Sequence, residues 1–256
     1  MKTIDITNLN NIVLDEDTIL SGTSSSLTII LPKFKEVKLV LNDTYITNLE
    51  VKLEEGSILK CDSYEFSSKK TNRHFVVEKN ANLSLKNISA YALDAFVNID
   101  LNGEGASVVN NVLLMTKEEA NYNTSVMHND KHTSSKVSNY GISLDNGGIT
   151  YKTTGKINRG FSSSSCEQLS RGIIAGDKAY VKALPILLID EYDVKANHGA
   201  SIGKMSDDEL FYLMSRGLTK QEAFKLILSG IINPFLESLL DENFRDKISE
   251  SIYRLL

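Results

Sequence analysis

Phe96-Val97-Asn98-Ile99-Asp100-Leu101, closed by Asn102-Gly103-Glu104-Gly105, decides how the first two hundred residues are read. Val97, Ile99 and Leu101 alternate with Asn98 and Asp100, so one set of side chains faces a core and the other faces solvent. That period of two is the mark of a half-buried strand. The Asn/Gly cluster behind it tolerates left-handed backbone angles and turns the chain sharply. The same unit recurs upstream in Leu27-Thr28-Ile29-Ile30-Leu31, Val37-Lys38-Leu39-Val40-Leu41 and Leu49-Glu50-Val51-Lys52-Leu53. Asn42-Asp43, Glu55-Gly56, Asn80-Ala81-Asn82 and, further on, Asn146-Gly147-Gly148 punctuate the runs. Some runs also read as hairpins. No convincing helix precedes about Gly203, so residues 1–203 are expected to form an all-β body.

Sandwich, barrel and β-solenoid all fit many short strands. Three features favour the solenoid. The chain has only 3 prolines and no tryptophan, and the inward positions carry small and medium aliphatics with Asn and Ser. Stacked coils use such ladders of like residues. The sequence nevertheless has no fixed repeat period.

After Gly203 the pattern changes, and residues 204–256 are expected to be a helical domain. Ser206-Asp207-Asp208-Glu209 reads as a capping box that opens a helix bearing Leu210, Phe211, Leu213 and Met214. Gly217 is its stop signal. Thr219-Lys220-Gln221-Glu222 opens a second helix through Ala223, Phe224, Ile227 and Leu228, expected to end near Gly230. Pro234 starts another segment through Leu239, and a last helix covers about Asp241 to Leu255. So short a tail cannot bury its apolar faces alone; they must pack on the β body or on another protein.

Composition narrows the function. Of 256 residues, 41% are hydrophobic and 24% charged, which is ordinary for a globular protein, and the formal net charge is −5. The charges are interspersed, which argues against nucleic acid, whose phosphates demand a concentrated basic face. Cys61 and Cys166 lie far apart and form no CxxC pair, so neither a disulfide framework nor a cysteine-rich metal site is expected. The N-terminus lacks the apolar core of a signal peptide, and no run approaches the roughly 20 apolar residues of a membrane span. The expected location is cytoplasmic, without a membrane partner.

Few residues invite chemistry. His128 and His132 would share one face of a helix, as zinc sites require, but their flanks of Asn, Thr and Ser favour strand and turn. The plain reading is a polar turn with exposed imidazoles; a solenoid edge presenting both rings to a partner is a third. His198 alternates with Val194 and Ala196, which suggests a satisfied buried histidine, although a neutral imidazole is also a good iron ligand and proton acceptor. Ser162-Ser163-Ser164-Ser165-Cys166 lacks a nucleophile elbow and reads as a hydrogen-bonded turn or polar ladder. Cys166 is by default a buried, inert thiol. No phosphate-binding glycine loop is present.

From His128 to about Leu239 the chain resembles the SufB/SufD family. The resemblance rests on His128-Asn129-Asp130-Lys131-His132-Thr133, Gly148-Ile149-Thr150-Tyr151-Lys152, Gly155-Lys156-Ile157 and Pro185-Ile186-Leu187-Leu188-Ile189. It is most specific in Asp193-Val194-Lys195-Ala196-Asn197-His198-Gly199-Ala200-Ser201 followed by Leu210-Phe211-Tyr212-Leu213-Met214-Ser215-Arg216-Gly217-Leu218. SufB-like chains resemble one another in a cysteine before the Gly176-Asp177-Lys178 turn and a glutamate after the histidine. Here those positions hold Ser170 and Gly199, which is the SufD-type pattern. Cys166 lies four residues from the cysteine position, and the role is not carried to it. Larger SufD-type proteins also have an N-terminal helical region that the strand-rich start of this sequence does not resemble, which implies a compact variant or a dispensable region.

The resemblance implies a parallel β-helix followed by a helical domain, and a scaffold rather than an enzyme. Family members pair through their β-helices, and the helical domain docks the SufC ATPase, whose nucleotide-driven movement rearranges the paired cores. The implied partners are SufC together with SufB, or a second copy of the chain, in a dimer. No cofactor is expected to stay bound; a transient iron–sulfur cluster would form at the subunit interface. His198 corresponds to the interface histidine and is the candidate metal ligand. Leu210, Phe211, Tyr212, Arg216, Gly217 and Phe224 would build or support the SufC-docking surface, although Leu210, Phe211 and Phe224 equally suit a helix core. One alternative is a homodimeric scaffold acting with SufC alone. A β-solenoid carbohydrate-active enzyme is another, but it would need a cleft of convergent acidic and basic groups, which is not visible.

Overall fold

The structure, a computed structural model, describes residues 1–65 and 69–256. Fifteen strands form one continuous sheet wound into a β-helix. β1 (Lys2–Asp5) and β2 (Asn11–Val13) lay down a first coil, β3 (Thr18–Leu31) spans both faces of the second, and β4 (Glu36–Leu53) spans both faces of the third. One face then continues through β5 (Ile58–Glu65), β7 (Asn82–Ser89), β9 (Ser107–Thr116), β11 (Ser134–Leu144), β13 (Ser164–Ala175) and β15 (Val194–Lys204). The other runs through β6 (Lys69–Val77), β8 (Leu93–Leu101), β10 (Glu119–His128), β12 (Gly148–Ile157) and β14 (Tyr180–Ile189). Every described strand pair is parallel, so the runs that read as hairpins are not hairpins. Each turn passes the chain to the opposite face instead of folding it back on its neighbour.

The missing repeat period has a geometric cause. Along one ladder Leu39 pairs with Cys61, then Leu85, Asn110, Val137, Gln168 and His198. Successive coils therefore take 22, 24, 25, 27, 31 and 30 residues. A coil that lengthens as it stacks keeps its register in space while losing it in sequence. The lumen of the narrow early coils is aliphatic, with Leu27, Ile29, Leu39, Val51, Leu59, Val77 and Leu83 in one buried cluster. Later coils bring more polar residues inward, among them Asn110, Asn139, Gln168 and Ser170.

Two glycines of the stretches that resemble the family are required by close approach. A Cβ on Gly176 would lie 2.1 Å from the Asp145 carbonyl oxygen of the coil below, so the turn stacks only without a side chain. A Cβ on Gly155 would lie 2.3 Å from Cys166 Sγ, so this glycine makes room for the buried thiol.

The helices are α1 (Asp207–Ser215), α2 (Lys220–Glu237) and α3 (Glu242–Tyr253). Ser206 caps α1 by accepting from Glu209 N, and Thr219 and Glu222 form the full reciprocal box at α2. Gly217, at φ 98°, ends α1: its N–H donates to Met214 O and that of Leu218 donates to Leu213 O. The expected break near Gly230 does not occur. Helix α2 runs through Gly230 and carries Pro234 inside it. Proline removes one helical hydrogen bond, and the packing of Leu228, Ile232 and Leu236 in a buried cluster compensates.

That cluster fixes the tail to the β-helix. Outward-facing Val40, Tyr64, Ile88, Leu113, Met115 and Ile142 meet Leu228, Ile232, Leu236, Phe244, Ile248 and Ile252. Polar contacts give the direction. Ser238 O accepts from Lys86 on β7, Leu240 N donates to Asp62 Oδ2 on β5 at 2.6 Å, and Lys247 pairs with Asp43 on β4. The tail thus runs back along the β-helix toward its earlier coils. Burial pushes the Asp62 carboxyl up to about 6, against the pull of Lys86 and the Leu240 amide. Among the described residues no helix is long and apolar enough to cross a membrane.

Candidate functional site: the open last coil and the exposed first helix

β14 and β15 end their respective ladders, each with a single hydrogen-bonded neighbour. Their outer edges present unpaired backbone N–H and C=O groups, which is the surface that strand addition uses. Leu184, Leu188, Tyr192 and Ile202, all in this last coil, are large apolar side chains left exposed, Tyr192 by 96%. Exposed apolar groups gathered beside free strand edges mark an interaction surface.

His198 sits in the middle of this end. Alternation along β15 is as the sequence suggests: Val194, Ala196 and His198 continue the lumen rows of Ser164, Cys166 and Gln168. The expected burial is not found. His198 is exposed because no further coil covers β15. Ser170 is buried behind Ala200 and accepts from Asn139 Nδ2 at 3.2 Å. No group of three or more His, Cys, Asp and Glu side chains that could hold a metal ion occurs among the described residues. His198 is therefore a single donor, and a metal at this end would need ligands from elsewhere.

The other histidines depart from the plain reading of a polar turn with exposed rings. His132 does occupy an exposed turn, at φ 57°, with its ring 3.8 Å from Glu104. His128 is 0% exposed and closes β10. Its Nδ1 lies 2.8 Å from Thr133 Oγ1 and its Nε2 2.9 Å from Ser135 Oγ. Both ring nitrogens are thus bonded to hydroxyls, and Thr133 Oγ1 also reaches Asp130 O and Ser164 Oγ, which ties the turn to the next coil. Burial lowers the ring to about 4 and keeps it neutral. The fold thus separates the pair: His128 staples a turn from within, and His132 lies outside. Cys166 is buried and its thiol is raised by desolvation, so it is a poor nucleophile.

The helical candidates divide by exposure. Phe211 is 74% exposed and Tyr212 57%, and no residue of α1 is buried. Tyr212 lines an open groove of about 510 Å³ between α1 and α2, with Leu213, Leu226 and Ile227. Arg216 stacks over the Tyr212 ring at 5.3 Å and its Nη2 lies 3.4 Å from the phenol oxygen, which holds the ring in place. Leu210 is half-buried, Gly217 is the helix cap, and Phe224 packs against the cluster that joins the tail to the β-helix. What sequence reasoning missed is the terminal apolar set of Leu184, Leu188 and Tyr192, whose signal was a strand with apolar residues on both faces.

Residues 9–231 match the family described as SUF system FeS cluster assembly, SufBD core domain. The chain belongs to the SufBD core family. Its relatives include iron–sulfur cluster assembly protein SufD of Bacillus subtilis (strain 168), 36% identical over 138 residues, which are 54% of this chain and 32% of that protein. SufD of Escherichia coli (strain K12) is 27% identical over 150 residues, 58% of this chain and 36% of the other. SufD of Plasmodium falciparum (isolate 3D7) is 24% identical over 210 residues, 79% of this chain and 14% of that protein. The matched part therefore spans about a third of the bacterial relatives. Within the SufBD core family the chain is SufD-type, as these relatives are.

Proposed function

We propose that this chain is a SufD-like scaffold subunit of iron–sulfur cluster assembly, acting without catalysis of its own. Its last coil pairs with that of SufB, or with a second copy, and α1 with the groove beside it docks the SufC ATPase. The observation that carries the reading is the open coil: two free parallel edges, an exposed apolar set and His198 at one end of the molecule. A nascent cluster is the cargo there, with His198 as one donor and the partner subunit supplying others. Imidazole nitrogen is a donor that suits iron. Motion of the ATPase would reach the joint through the helices, because α2 and α3 are fixed to the β-helix over an extended apolar face.

Co-expression with SufB and SufC, followed by affinity capture of this chain, tests the proposal. Wild type is expected to retain both partners. Phe211→Ala and Tyr212→Ala are expected to weaken SufC retention at least about tenfold, as loss of exposed aromatic anchors does. Both side chains are largely solvated, so the unfolding midpoint should stay within the range of surface changes, about 0.5 kcal/mol. Undiminished SufC capture by both variants would remove α1 as the docking element. A wild-type chain that sediments as a dimer by itself would make the second copy its partner.

A further inference from the structure

Inside the β-helix an ion pair begins a polar line through otherwise apolar coils. Arg73 pairs with Glu65, donates to Ser63 Oγ at 2.8 Å and to Asn87 Oδ1 at 2.7 Å, and Asn87 in turn donates to Asn110 Oδ1 at 2.9 Å. Beside it lies a narrow cavity with about 10 Å³ open to the centre of a water molecule. Its polar lining is Glu65, Thr71, Arg73, Asn87 and Tyr122. The cavity has a simple origin: Thr71 and Tyr122 occupy one ladder row two coils apart, and the residue between them is the small Ala95.

Two groups lining this cavity have no partner. Thr71 Oγ1 and Tyr122 Oη, in residues 2% and 3% exposed, lack a hydrogen bond among the described residues. Asn110 Nδ2, in the coil of Tyr122, is also without a formed hydrogen bond, although it lies close enough to the phenol to oppose, as a hydrogen-bonding neighbour, the rise that burial gives it. A buried hydroxyl without a partner is destabilising, and folded proteins rarely leave one so. The space is about that of one water centre, and a water with two to four polar neighbours is a stable occupant. Arg73 and Glu65 cancel each other's charge, so the cavity favours a neutral occupant over an ion.

We infer that the cavity bounded by Thr71, Tyr122 and the Arg73–Glu65 pair is a structural water site that satisfies the Thr71 and Tyr122 hydroxyls. The site makes the polar line a hydrated core element and explains why a threonine and a tyrosine are accommodated at inward ladder positions.

Isosteric removal of each hydroxyl gives opposite signs for a wet and a dry cavity. With the water in place, Thr71→Val and Tyr122→Phe each lower the thermal midpoint, by about 2–4 °C for a chain of this size. Because both act on one water, the double variant falls by less than the sum. In a dry cavity Thr71→Val removes an orphan hydroxyl and raises the midpoint. Rotation of Asn110 onto the phenol would make Tyr122→Phe costly while Thr71→Val still raised it. A raised or unchanged Thr71→Val midpoint therefore overturns the site. A high-resolution crystal structure of the full chain reads it independently: a density peak within hydrogen-bond distance of Thr71 Oγ1 or Tyr122 Oη is expected, and its absence would overturn it too.

Discussion

Phe244→Ala is expected to cost roughly 3–5 kcal/mol, the range for deleting a fully buried aromatic ring. Phe244 is 1% exposed, opens α3, and lies among Leu228, Ile232, Ile248 and Ile252 against the outward apolar row of the β-helix. For a chain of this size each kcal/mol is worth about 2–4 °C, so the midpoint should fall by about 10 °C. Solenoids unfold by neighbouring units, so the loss is expected first as an earlier transition of the helical tail. Thermal unfolding with limited proteolysis of residues 205–256 reads both. A shift under about 1 kcal/mol would mean that this cluster does not anchor the tail. The contrast with Phe211→Ala is the informative pair: two phenylalanines of one short tail, one holding it to the body and the other exposed on α1.

Acidification should withdraw the stabilisation that the buried, neutral ring of His128 contributes. The folded ring is held at about 4 against an ordinary 6.5, because burial disfavours its charged form. Above about 6.5 both states carry a neutral ring and the stabilisation is complete. As pH falls from 6.5 to 4 the unfolded chain takes up a proton that the folded chain refuses, so stability drops by about 1.4 kcal/mol per unit, about 3 kcal/mol in all. Asp62 works in the other direction. Its carboxyl is raised from 3.8 to about 6, so the folded state gains its proton first and is favoured as pH falls through that window. The measurement is therefore a difference. Urea unfolding of wild type and His128→Asn at pH 7 and 4.5 should show the variant less stable at neutral pH but with an acid loss smaller by about 2–3 kcal/mol. Equal acid losses in the two proteins would show that the ring is accessible to protons in the fold.

How far the sequence could be read depended on whether a signal was local. The strand runs and their turns, the capping box at Thr219 and the stop at Gly217 are each set by a few neighbouring residues and stand in the structure as read, while at Ser206 only the serine half of the expected box forms. Helix α2 continues past Gly230 and Pro234 because local breaking signals yield to a non-local force, the packing of its apolar face against strands far earlier in the chain. The placement of that packing was partly legible. Asn111-Val112-Leu113-Leu114-Met115 is apolar on both faces, the lumen taking Val112 and Leu114, the helices Leu113 and Met115. The same logic applied to β14 would have marked the exposed end.

The histidines show the limit most clearly. Alternation assigned His198 to the inward face, and the structure agrees, yet it is exposed because it belongs to the last coil. The flanks of His128 read as a polar turn, yet its ring is sealed between coils with both nitrogens bonded. By itself the sequence determined the element types, the caps and the face on which each strand residue lies, since these follow from backbone geometry over a few residues. Only the tertiary structure decided which coil covers which. The lengthening of the coils hides that neighbourhood from any repeat in the sequence, and burial belongs to the neighbour as much as to the residue.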